Sequence, residues 1–220
     1  MEKSCLDSSF YLDYHHSNVV EFIKETVSVT KSKEEQAIEL YYAVRDRIRY
    51  DPYTYSYDKD SFKASEVVKA KRAWCVPKAI LYTACCRSIG LCAKLGFADV
   101  RNHLSTQRMR ETMKTDVFAW HGYTIVFLYG KWVKATPAFN IELCEKFKLR
   151  PLEFDGHSDS LYHSFDFAGN QHMEYLTDRG EYDDFPFKKM VSELTDIYPH
   201  TAQIQTANFD EDVSAETQRL

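Results

Sequence analysis

The stretch from Trp74 to Gly90, WCVPKAILYTACCRSIG, limits what the whole chain can become. It reads as one helix with a cysteine at its first turn. Pro77 fits only near a helix start, where its missing N–H costs nothing and its fixed φ is already helical. Ala79, Ile80, Ala84 and Ile89 recur at helical spacing as an apolar face, with Leu81 and Cys85 at its edges. Gly90 follows the last turn, as a left-handed residue just past a helix end would. Cys75 therefore stands at or just before the helix N-terminus. Free N–H groups and the helix dipole there favour the thiolate, the nucleophilic form of cysteine. A small buried core cysteine is the competing reading of the same position.

The segments before this helix are helical too. Ser17-Asn18 opens a short helix with Val19, Val20, Phe22, Ile23 and Val27 as its apolar positions. Ser32 and Glu35, three residues apart, form a capping box. The helix behind it runs through Ala37, Leu40, Tyr41, Val44 and Ile48 and stops near Tyr50, because Pro52 pushes Asp51 out of helical geometry. Tyr53, Tyr55 and Tyr57 alternate, which predicts an extended segment beside a groove or a surface loop of half-buried rings. Ala64 to Lys71 is a short helical turn leading to Cys75.

After Gly90 the pattern changes to strand. Leu91–Val100 is short and mostly apolar, and residues 101–115 read as a polar, basic loop or short helix. VFAWHGYTIVFL, residues 117–128, is the strongest strand pattern in the chain and carries His121. Tyr129-Gly130-Lys131 turns it into a partner strand, Trp132–Thr136, which Pro137 ends. Asn140 caps a short helix to about Phe147. Residues 151–220 are less regular: Pro186 opens a helix through Met190, Leu194 and Ile197, and 201–220 read as a polar, acidic, mobile tail.

Composition removes several classes. The net charge of −5 leaves no excess of Lys and Arg to neutralise phosphates, so neither nucleic acid nor an anionic membrane is an expected partner. The N-terminus lacks the apolar core of a signal peptide, and no run approaches the roughly 20 apolar residues of a membrane span, so the expected location is cytoplasmic. In that compartment the six cysteines are not expected to form a disulfide framework, and Cys85, Cys86 and Cys92 read as small core residues. His157, His163 and His172 lie among Asp155, Asp159 and Asp166, but their spacing matches no metal motif, and His15-His16 reads as solvated surface, so no metal and no cofactor is expected.

A thiol nucleophile needs a base within hydrogen-bond reach, and the base needs a third group to hold its tautomer. Helix-borne cysteine, strand with histidine, hairpin and returning strand follow one another here in that order. The stretches WCVPKAILYTACCRSIGLCAKLGFADV and AWHGYTIVFLYGKWVKATPAFN resemble the transglutaminase-like superfamily of papain-related cysteine enzymes, over roughly residues 35–140. In that family the cysteine opens a helix that ends in a glycine before the next strand, and the histidine lies nine residues before a hairpin Gly-Lys-Trp, as His121 does before Gly130. The family closes its second strand with an aspartate before a proline. This chain has Thr136 before Pro137, so threonine stands where the carboxylate would be. A hydroxyl can accept a hydrogen bond from imidazole but adds no charge. Asn140 and Asp155 remain open as alternative third members.

The resemblance implies an α+β fold with a papain/transglutaminase-like core, in which a central helix carrying the cysteine packs on an antiparallel sheet. It implies one transglutaminase-like domain over residues 1–200. It also implies a cysteine hydrolase acting on the amide bond of a peptide or protein substrate, with Cys75 as nucleophile, His121 as base and Thr136 as orienting group. Proteolysis follows from analogy with the family's small bacterial-type members. A catalytically weak papain-like binding module, or an acyl or amine transferase using the same pair, are the alternatives. Trp74 and some of Tyr53, Tyr55 and Tyr57 are expected to line a groove beside Cys75, partly covered by residues from 151–185.

Overall fold

The computed structural model describes residues 3–102, 105–161, 173–199 and 207–217. The helices arrive first. Ser17–Lys24 (α1) and Lys33–Arg47 (α2) precede Ala64–Ala70 (α3) and Cys75–Ser88 (α4). Both members of the Ser32/Glu35 capping box are made: Ser32 Oγ accepts from the Glu35 N–H and the Glu35 carboxylate accepts from the Ser32 N–H. Between α2 and α4 the chain makes two two-residue strands, Arg49–Tyr50 (β1) and Arg72–Ala73 (β2), paired in parallel. The Asp51 N–H continues the ladder to the Ala73 carbonyl at 3.0 Å, which draws the tyrosine-rich loop against the start of α4. That loop contains 3-10 turns at Pro52–Thr54 and Lys59–Phe62, so the extended segment expected from the Tyr alternation does not form.

The second half supplies the sheet: Ala93–Asn102 (β3), Val117–Leu128 (β4), Lys131–Ala135 (β5) and Met173–Tyr182 (β6), in the order β5-β4-β3-β6 with every pair antiparallel. A short helix, Gln107–Met113 (α5), links β3 to β4, and Ile141–Lys146 (α6), Phe187–Ile197 (α7) and Phe209–Thr217 (α8) complete the chain. The fold is α+β, with α4 packed on the antiparallel sheet and flanked by α2 and α3. Among the described residues no helix is long and apolar enough to cross a membrane.

α4 is not amphipathic in place. Every residue from Cys75 to Arg87 is buried, so its polar side chains need internal partners. Lys78 donates to the Arg45 and Ile48 carbonyls at the open end of α2. The Thr83 and Thr124 hydroxyls meet at 2.9 Å, and Thr124 donates to the Ala79 carbonyl at 3.0 Å, locking helix to strand. Arg87 reaches the carbonyls of Ala93, Asp7 and Asp183. At the C-terminal end Gly90 takes φ +82°, and the Leu91 N–H closes onto the Cys86 carbonyl across it.

Three expectations are corrected. Cys5 and Cys92 form a disulfide, so Cys92 is not a free core cysteine, while Cys75, Cys85, Cys86 and Cys144 are free and buried. The bond closes a loop of sequence separation 87, which restricts the unfolded chain by on the order of 4–5 kcal/mol. Second, residues 151–185, read as irregular, include the whole of β6 as the outer neighbour of β3. Third, part of the expected mobile tail is α8. Its Phe209 and Val213 are buried, and Phe209 packs edge-on against Tyr50 and Tyr53. Its acids meet bases on the body: Asp210 pairs with Arg49 at 2.6 Å and Asp212 with Arg108 at 2.6 Å.

Candidate active site

Cys75 is the first residue of α4, with Trp74 in the N-cap position. Backbone N–H groups of Cys75, Val76 and Gly122 are directed at its sulfur and hold the thiol pKa down, but burial outweighs them and pushes it up to about 11. The Gly122 amide comes from β4, so strand and helix start touch at this point. The approach is close: a Cβ on residue 122 would lie 3.0 Å from Val76 Cα. Burial and the neighbouring amides thus pull the thiol in opposite directions, and burial is the larger effect.

His121 precedes Gly122 and is buried. Its aim is set by an irregularity in the sheet. His121 pairs with Ala98 and Phe118 with Val100, so Ala119 and Trp120 together face Asp99 alone. Such a bulge bends the strand and re-aims its side chains. Within it Trp120 adopts φ +60°, a left-handed conformation costly for a bulky residue. Several contacts hold it there. Asp99 Oδ1 accepts the Trp120 N–H at 3.0 Å, and Arg179 of β6 pairs with Asp99 and with Glu193 of α7. Glu193 also accepts from the Trp120 indole N–H at 3.0 Å, beneath the Arg179 guanidinium stacked on that ring. Neither Asp99 nor this support was singled out in the sequence. The available signal was a carboxylate in the otherwise apolar run LGFADV.

Cys75 and His121 line the same cavity, of about 70 Å3. Trp74 and Tyr55 form part of its wall, as does Met173 from the 151–185 region. Tyr53 instead turns its hydroxyl to Thr106 and Asp212, and Tyr57 packs on the Tyr55 ring.

His121 also borders a second opening, of about 10 Å3, with Thr136. The Thr136 backbone is fixed on both sides: its N–H donates to the Ser160 carbonyl at 2.8 Å, and its carbonyl accepts from the Tyr41 hydroxyl at 3.3 Å. The Thr136 hydroxyl is buried and has no hydrogen-bond partner among the described residues. The two alternatives are committed elsewhere. Asn140 accepts from the Tyr50 N–H at 3.0 Å and donates to Glu142 at 2.6 Å, and its side chain does not cap α6. Asp155 is exposed and accepts the N–H groups of His157 and Ser158, both at 2.8 Å, which hold its pKa low. Among the described residues no three metal-ligating side chains gather; His163, His172 and Asp166 lie outside the described residues.

A structure of a candidate cysteine protease from Cytophaga hutchinsonii resembles the chain with a TM-score of 0.45 and 14% identity, over 60% of this chain. The matched part is 40% of that protein's length. No curated protein matches the chain. The model of the transglutaminase-like superfamily matches residues 20–137, more than half of the chain, from α1 through the cysteine helix to the end of the hairpin. The chain belongs to the transglutaminase-like superfamily.

Proposed function

We propose that the protein is a cysteine hydrolase that cleaves the amide bond of a peptide or protein substrate. The observation that carries this is that Cys75, at the first turn of α4, and His121 of β4 line one cavity. The Cys75 sulfur attacks the carbonyl carbon while His121 takes the thiol proton. The C–N bond then breaks, and the departing amine leaves with the proton from His121. Water hydrolyses the remaining thioester and restores the thiol. Burial pushes the resting thiol pKa up, so His121 is needed to take its proton. The amides around the sulfur suit the oxyanion that forms beside it. Thr136 borders the same small opening as His121, but its hydroxyl makes no hydrogen bond among the described residues, so a neutral orienting role would need a contact formed as substrate binds.

Thr136 in place of a carboxylate favours a second reading, a binding module with little turnover. Digestion of an unlabelled peptide pool, read by mass spectrometry, separates the two. Cleavage lost by on the order of 10³-fold in both Cys75→Ala and His121→Ala supports hydrolysis. No cleavage by the unmodified protein favours the binding module, and cleavage that persists in Cys75→Ala refutes the assignment of the nucleophile. Transfer to an amine uses the same first step and would appear as amide products when a primary amine is added. The Cys5–Cys92 bond weighs against a cytoplasmic location, since the glutathione pool there keeps thiols reduced.

A further inference from the structure

We propose that the cavity beside Cys75 selects acyl donors whose group next to the scissile carbonyl is uncharged and apolar. The inference rests on Cys75 acting as the nucleophile and adds the substrate class. Three methionines line the cavity, Met109 and Met113 from α5 and Met173 from β6, together with Phe118, Leu194 of α7 and Tyr198. No Lys, Arg, Asp or Glu lines it among the described residues. A charged group placed there would be desolvated without a counter-ion, which is strongly unfavourable. The volume of about 70 Å3 is several times the roughly 10–15 Å3 that one water needs by the same measure, so the cavity takes a group of side-chain size. Isobutyl and benzyl groups suit this apolar wall, and a carboxylate does not. Methionine side chains adapt to an irregular aliphatic shape, so the wall can close on a branched chain without a fixed mould.

The test uses chloromethyl ketones, R–CO–CH2Cl, on the intact protein, with R methyl, isobutyl, benzyl or carboxyethyl. The Cys75 sulfur displaces chloride, forming one C–S bond and breaking one C–Cl bond, with His121 taking the thiol proton. Labelling of each cysteine is followed by peptide mass spectrometry. The expected result is that isobutyl labels Cys75 about ten- to fifty-fold faster than methyl, as burial of the added carbons predicts, and that carboxyethyl is slowest. In Leu194→Phe, which fills part of the wall, the isobutyl-to-methyl ratio falls towards one. The reagent series on the unmodified protein decides the question even if that variant does not fold. If no reagent labels Cys75 ahead of Cys85, Cys86 and Cys144, the nucleophile assignment fails and the inference with it. If Cys75 is labelled first but the rates are flat in R, or carboxyethyl is fastest, only the substrate class is overturned.

Discussion

Replacing Gly122 by alanine drives a methyl group into the first turn of α4. The new Cβ would lie 3.0 Å from Val76 Cα and 3.1 Å from Val76 Cγ2, and Val76 is fully buried. Carbon atoms pack at about 3.5–4.0 Å, so helix and strand must separate by roughly half an ångström. Overpacking of this kind costs about 1–3 kcal/mol. For a domain of this size each kcal/mol lowers Tm by roughly 2–4 °C, so a fall of about 2–12 °C is expected by calorimetry. The same displacement withdraws the Gly122 N–H from the Cys75 sulfur. The thiol pKa then rises above about 11, read from the pH dependence of iodoacetamide alkylation followed at Cys75. Peptide cleavage should fall about tenfold, given that an ångström of misplacement costs on the order of 10². An unchanged Tm refutes the close contact. A lower Tm with an unchanged alkylation profile leaves the packing intact and refutes the amide–sulfur interaction.

Cys75 also links stability to pH. Its folded pKa of about 11 lies above the ordinary 9.0, so the unfolded chain loses this proton first, and stability falls as pH rises from 9 to 11. Cys75→Ala should remove about 3 kcal/mol of that fall in urea titrations, and equal slopes in the two proteins would contradict the buried neutral thiol. Asp99→Ala frees the Trp120 bulge and strips Arg179 of a partner, with an expected cost of about 2 kcal/mol and a lower kcat. Retention of full activity would show that the bulge does not aim His121. Thr136→Asp puts a carboxylate at the opening shared with His121 and should speed Cys75 alkylation near neutral pH, while Thr136→Val removes a hydroxyl without a partner among the described residues and should leave it unchanged; identical rates in all three proteins would remove Thr136 from the site. Lys78→Met leaves the Arg45 and Ile48 carbonyls without their donor, for about 2 kcal/mol of lost stability; an unmoved urea midpoint would mean the bonds contribute nothing.

The cysteine helix was legible because its ends are punctuated: Pro77 admits only one start and Gly90 only one stop. β4 was legible from its β-branched and aromatic run. The strand β6, MEYLTDRGEY, was not: it is half exposed, has one partner, and pairs with β3 through two irregularities, so period-2 alternation is lost. α8 was hidden by its acids, which suggest a solvated tail until Arg49 and Arg108 are known to face them. Only Phe209 and Val213, four apart, carry its helical signal. The pairing of Cys5 with Cys92 spans most of the first half of the chain, and no local pattern can report it. The left-handed Trp120 is likewise a tertiary result: nothing in the sequence near it disfavours a regular strand, and Asp99, Arg179 and Glu193 come from three other elements.

The Cys5–Cys92 bond also decides how the molecule bears load. Tension applied at the N-terminus leaves the polypeptide at Cys5 and re-enters it at Cys92, one residue before β3. All four helices from α1 to α4 lie inside the bypassed loop, and roughly 300 Å of contour length cannot be drawn out while the bond holds. The force goes straight to β3, an inner strand gripped by β4 on one side and β6 on the other. A machine that threads proteins from the N-terminal end therefore has to tear the middle of the sheet before it reaches the helix bearing Cys75. With the bond reduced, the same pull would peel that half away first, one helix at a time.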